Sequence, residues 1–196
     1  MNVREVSVTE AGVVQTNHAR AGVHLSDVIR YMTLALGKYA EKDLAEEDFH
    51  RFKVGFSWEA GVLGTGILMD TLAHHEHTIP ALKAELDGIR MTSDGVDLAC
   101  GRVVECKATW YSVAKSIEDP VFGHYHWQGK AYCRAFEVPK CLFVFAYMMG
   151  DYRENRRPMF KAWEVEYDAP ELEQNWGMIL RNRDAMLRDR EKKGEK

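Results

Sequence analysis

Apolar positions between residues 26 and 40 recur at helical spacing rather than in alternation. In SDVIRYMTLALGKYA, Val28, Tyr31, Met32, Leu34 and Ala35 fall near one face, with Ser26 and Asp27 ahead of them as capping residues. A second helical pattern runs through DFHRFKVGFSWEAGVLGTGILMDTLA, where Gly55, Gly61, Gly64 and Gly66 weaken an unbroken helix and permit close packing. From about residue 86 the texture changes. LDGIRMTSDGVDL and RVVECKATW read as two β segments joined by a short turn near Ala99–Gly101. FGHYHWQGKAYCRAF reads as a helix, and KCLFVFAYMMG and MFKAWEVEYD as two strands separated by DYRENRRP. A last helix is expected after Pro170, with Leu172, Trp176, Ile179 and Leu180 on one side. Helices, hairpin, helix, hairpin, helix: this order predicts a single α/β domain over 1–180, a small mixed β-sheet flanked by helices, with 181–196 as a basic tail, helical or disordered.

Composition adds limits to this picture. The 196 residues carry 26 Lys and Arg against 30 Asp and Glu, a net charge of −4, which excludes a histone-like polycation but not an enzyme that handles nucleic acid at a local site. The charge is uneven. Residues 181–196 hold seven Lys/Arg against four acids, a local +3 that leaves −7 on the rest; this stretch is either a solvated helix end or a surface for phosphate backbones. Cys100, Cys106, Cys133 and Cys141 show no CxxC pair, the first residues lack a signal-peptide apolar core, and no run approaches a membrane span. A reduced, cytoplasmic protein with packing cysteines and no membrane association is expected.

The segment MTSDGVDLACGRVVECKATW places Asp94, Asp97, Glu105 and Lys107 within fourteen residues of a predicted hairpin. Side chains alternate along a strand, so Glu105 and Lys107 share one face and Cys106 points away. If Asp94 lies opposite Glu105, two carboxylates and one ammonium converge. Such a pair of acids binds a divalent cation, and a neighbouring lysine orients or deprotonates a water: equipment for metal-assisted hydrolysis of a phosphodiester. The bland alternative is a surface ion pair. The apolar flanks of VVECKATW argue for charges drawn into the domain, where they need partners or a metal.

SDG followed by ECKATW resembles the signature of the PD-(D/E)XK nuclease superfamily, particularly the phage-type recombination exonucleases of the lambda exonuclease and YqaJ group. Ser93 stands where that group often has proline. HWQGKAYC supplies Gln128 and Tyr132 in the Q-x-x-x-Y pattern of RecB-type relatives, spaced to share a helical face, and Glu59 in FSWEAG matches the acidic residue expected on an earlier helix. Asp97 is the weaker candidate for the first acid, because it leaves only eight positions to Glu105.

The resemblance implies a restriction-endonuclease-like core and a DNA nuclease, more specifically an exonuclease acting at DNA ends in phage or prophage recombination or repair. In that reading Asp94, Glu105 and the Cys106 carbonyl hold Mg²⁺ or Mn²⁺, with Glu59 completing the shell or holding a second metal. Lys107 positions the attacking water, and Gln128 and Tyr132 hold the lysine or contact DNA near the scissile phosphate. A Lys107→Ala variant is then expected to lose activity and keep its thermal melt. Ring-shaped trimers among the lambda-like relatives raise a homo-oligomer and a phage recombination partner protein as possibilities. The alternative from a different class is a nuclease-fold DNA-binding or assembly module without turnover; the filled motif positions argue against it. The iron–sulfur CRISPR adaptation nucleases are disfavoured because the cysteines are not grouped in the C-terminal part.

Other candidates remain beside this constellation. In the stretch His74, His75, Glu76 and His77, the i, i+3 pair His74 and His77 could share a zinc-ligand face, though a helix end before Pro80 with exposed imidazoles is the simpler reading. Trp110, Tyr111, His124, Tyr125, His126 and Trp127 are base-stacking or core aromatics, with Trp127 favoured as core. Arg153, Arg156 and Arg157 are phosphate contacts or a plain polar turn.

Overall fold

The computed structural model describes residues 22–37, 78–80, 82–148 and 159–194. Within them the chain forms β1 (Val23–His24), α1 (Leu25–Ala35), β2 (Thr78–Pro80), β3 (Lys83–Leu86), β4 (Ile89–Thr92), β5 (Gly95–Asp97), β6 (Arg102–Thr109), a 3₁₀ turn (Pro120–Phe122), α2 (Gly123–Phe136), β7 (Lys140–Tyr147), β8 (Met159–Glu166) and α3 (Ala169–Lys193). The expected α/β class is observed: two small mixed sheets flanked by helices. A five-stranded sheet runs in the order β2-β5-β6-β7-β8, and a three-stranded sheet in the order β1-β4-β3. In the larger sheet β6 and β7 are parallel and joined through α2, while the other neighbours are antiparallel.

The central strand explains why the sheet sits where it does. From Cys141 to Tyr147 every residue of β7 is buried, the continuous apolar run of a strand covered on both faces. The edge strand β8 instead alternates between half-buried and exposed positions over most of its length. Helix α2 lies close against the sheet because Gly129 has no side chain: a Cβ there would come within 2.7 Å of the Phe143 ring. Helix α3 starts with a capping box, in which the Asp168 carboxylate accepts from the Glu171 N–H and Glu171 accepts from the Asp168 N–H.

Three boundaries differ from the sequence reading, each for a local reason. Helix α1 takes His24 as its N-cap without a side-chain cap bond, and Ser26 and Asp27 lie in its first turn; Leu25 is buried and starts the apolar face one residue before them. The segment from Leu86 to Leu98 is not one strand. Asp87 and Gly88 both have positive φ (49° and 75°) and make the tight turn between β3 and β4. The chain then bends at Ser93–Asp94, where the Ser93 N–H donates to the Leu82 carbonyl at 3.0 Å, and β5 passes into the other sheet. The last helix begins at Ala169 and continues beyond residue 180 to Lys193, burying Met186 on the way.

Candidate active site

Pairing of β5 with β6 matches Gly95 to Val104, Val96 to Val103 and Asp97 to Arg102. One step outward along this register puts Asp94 across from Glu105. Asp94 sits at the bend where the ladder ends, and its carboxylate takes over the ladder's role: Oδ2 accepts from the Cys106 N–H at 2.7 Å. Glu105 and Lys107 project from the same face of β6 and form an ion pair, and Lys107 Nζ is also 3.8 Å from Asp94 Oδ2. Glu105 is 0% exposed, and the Asp94 and Lys107 side chains are 13% and 16% exposed. Two carboxylates and one ammonium thus meet at the mouth of the sheet, with one net negative charge.

Electrostatics around this triad follow from the buried Glu105 charge. Burial opposes the Lys107 ammonium, but Glu105 and then Asp94 outweigh it and hold its pKa well above the usual lysine value. Three weak acids nearby are pushed the other way from ionisation. Burial, then Glu105, raises the Tyr132 hydroxyl, raises the Cys141 thiol, and pushes the Cys133 thiol up to about 12. All four cysteines are free, and Cys106, Cys133 and Cys141 are buried, in line with packing roles.

Helix α2 approaches from the opposite side. Gln128 Nε2 donates to the Tyr132 hydroxyl at 2.9 Å, and that hydroxyl donates to the Thr92 carbonyl at 2.8 Å. The i, i+4 pair therefore grips the backbone two residues ahead of Asp94 and braces the bend that aims its carboxylate. This anchor at Thr92 is a backbone acceptor and left no signal in the residue types. One turn earlier on α2, the Tyr125 ring lies 5.7 Å from Lys107 Nζ, as in a cation–π contact. Tyr125 stacks on Phe122, whose ring meets the exposed Tyr111 edge to face. Trp127 packs against the core and its carbonyl accepts from Asn175, and His126 bridges Tyr167 and the Ile117 carbonyl.

Asp97 stands apart from the triad. It is buried at the far end of β5, where Oδ1 accepts from the Cys100 N–H at 3.0 Å and Oδ2 lies 3.3 Å from Arg102. Burial pushes its carboxyl up, yet the Cys100 and Arg102 donors prevail and hold it below the usual aspartate value. Glu59, the histidines His74, His75 and His77, and Arg153, Arg156 and Arg157 lie outside the described residues. Among the described residues no three His, Cys, Asp or Glu side chains gather as a metal site; the carboxylates of Asp94 and Glu105 are the pair that converges. Their donors are hard oxygens carrying net negative charge, a set that fits Mg²⁺ or Mn²⁺. Nor, among those residues, is any helix long and apolar enough to cross a membrane.

No protein-family model matches the chain, and no curated protein sequence matches it. Among solved structures it is similar to a phage-related exonuclease from Haemophilus somnus 129PT (TM-score 0.48, 10% identity, 96% of this chain and 91% of that one). It is also similar to the alkaline exonuclease LHK-Exo from Laribacter hongkongensis (TM-score 0.49, 16% identity, 97% of this chain and 93% of that one). The complex of LHK-Exo with dAMP aligns at TM-score 0.49 and 16% identity, over 88% of this chain and 93% of that one.

Proposed function

We propose that this protein is a metal-dependent deoxyribonuclease, acting as an exonuclease at DNA ends in phage-type recombination or repair. The observation that carries the reading is the β5–β6 register, which sets Asp94 across from Glu105 with both carboxylates on the Lys107 ammonium. A bound Mg²⁺ or Mn²⁺, held by Asp94, Glu105 and the Cys106 carbonyl together with Glu59, would supply Lewis-acid activation of the scissile phosphate. The chain's own groups do the remaining work. Lys107 offers N–H donors to the attacking water and to the phosphate oxygens, where negative charge builds up. Asp94 is held in place by the Cys106 N–H, so its second oxygen stays directed without reorganisation. Tyr132 and Gln128 act as positioning residues through Thr92. DNA is the partner in this reading; a ring-shaped homo-oligomer and a phage recombination protein are compatible additions.

Digestion of linear and closed circular duplex DNA, with Mg²⁺ and with chelator, tests it. Loss of the linear duplex alone, and only with Mg²⁺, is expected. Degradation of both forms would replace exonuclease by endonuclease. DNA bound but intact under all conditions would replace the enzyme by a nuclease-fold binding or assembly module.

A further inference from the structure

Away from the carboxylate–lysine triad, α1 and α3 enclose an open cleft whose walls are fixed before any ligand arrives. The Tyr31 hydroxyl of α1 donates to Asp189 of α3 at 2.8 Å, and Met186 is buried beneath. Arg30 from α1 and Arg190, Lys192 and Lys193 from α3 line this cleft, against the two acids Asp27 and Asp189. Lys192 pairs with Asp189 at 3.5 Å. Arg30, Arg190 and Lys193 make no ion pair with any described carboxylate. Complementing the α3 dipole accounts for cations in that helix's last turn, but not for Arg30, which belongs to another helix and lines the same space. Excess positive charge from two elements, in a chain whose net charge is −4, is a local exception to the molecule's overall repulsion of polyanions.

We propose that this cleft binds the sugar–phosphate backbone of the DNA strand, as a sequence-independent contact separate from the triad. The proposal rests on the nuclease reading for the identity of its polyanion. It makes the basic end of α3 an electrostatic grip on the substrate. The frame is continuous with the triad's, since α3 is tied to the β3–β4 turn through Trp176 and Arg183 on Asp87, and β4 ends at Thr92.

The test is anisotropy of a labelled linear duplex with the full chain, in chelator, over a range of salt. Arg190→Gln/Lys193→Gln is expected to bind about tenfold more weakly at low salt, with the slope of log affinity against log salt smaller by about two. The charge-keeping pair Arg190→Lys/Lys193→Arg should bind as wild type does. Asp27→Asn, which removes an acid and leaves the helices in place, should bind more tightly. Wild-type affinity and slope in the glutamine variant would overturn the cleft while leaving the nuclease reading intact. A wild-type protein that neither binds nor degrades DNA would instead overturn the nuclease reading.

Discussion

Glu105 has no exposed surface, and a carboxylate in that position depends on the ammonium two residues along the strand. From sequence alone, Lys107→Ala is expected to melt like the wild type. The buried pair reverses that expectation. Removing Lys107 leaves an uncompensated charge inside the protein, a cost of roughly 3–5 kcal/mol, whereas removing the Glu105 charge leaves the less buried Lys107 ammonium still facing Asp94 at 3.8 Å, a smaller loss. Thermal melts and DNA digestion together are therefore expected to divide the two variants. Lys107→Ala should lose activity and melt well below wild type; Glu105→Gln should lose activity and melt between the two, because Lys107 keeps Asp94. Equal melts for wild type and Lys107→Ala would mean that the Glu105 charge is neutralised by something other than Lys107.

Strand β6 and its hairpin with β5 show how far the sequence reaches. Alternation along VVECKATW predicts that Glu105 and Lys107 share a face, and the Q-x-x-x-Y spacing predicts that Gln128 and Tyr132 share another; both arrangements are observed. What residue types could not convey is the break at Ser93–Asp94, since backbone acceptors such as Leu82 and Thr92 make it and carry no side-chain signature. Two acids three positions apart thereby take different surroundings. Asp94 faces Lys107, and Asp97 closes the β5–β6 turn on Cys100 and Arg102. That turn has its own pH signature. The folded Asp97 carboxyl is held below its unfolded value, so its stabilisation is present above about pH 4 and lost as pH falls through the folded pKa. Melting temperatures of Asp97→Asn should accordingly lie below wild type at neutral pH and converge with it in acid. Curves that stay parallel to the lowest pH would show that another carboxylate governs the acid limb.

At the scale of the whole molecule, the end of α3 combines two properties that its composition presents as one. Seven Lys and Arg in residues 181–196 suggest a solvated tail, but the helix carries Met186 into the core cluster together with Val28, Ile29 and Met32 of α1. Arg183 also reaches back to the Asp87 carbonyl. Charge faces the cleft; packing faces the core. The two separate experimentally. Deleting residues 181–196 exposes the surface that Met186 covers, worth about 1.5–3 kcal/mol for one buried methionine, which corresponds to a melting temperature lower by roughly 3–12 °C in a chain of this size. Neutralising Arg190 and Lys193 removes charge from exposed and half-buried positions without touching that core, so its melt should match wild type while its DNA affinity falls. If the deletion melted like wild type, α3 beyond Leu180 would be an appendage held only by its charges. A deletion that lowers both stability and affinity, beside a charge variant that lowers affinity alone, is the pattern expected of a helix that closes the fold with one face and offers its cations with the other.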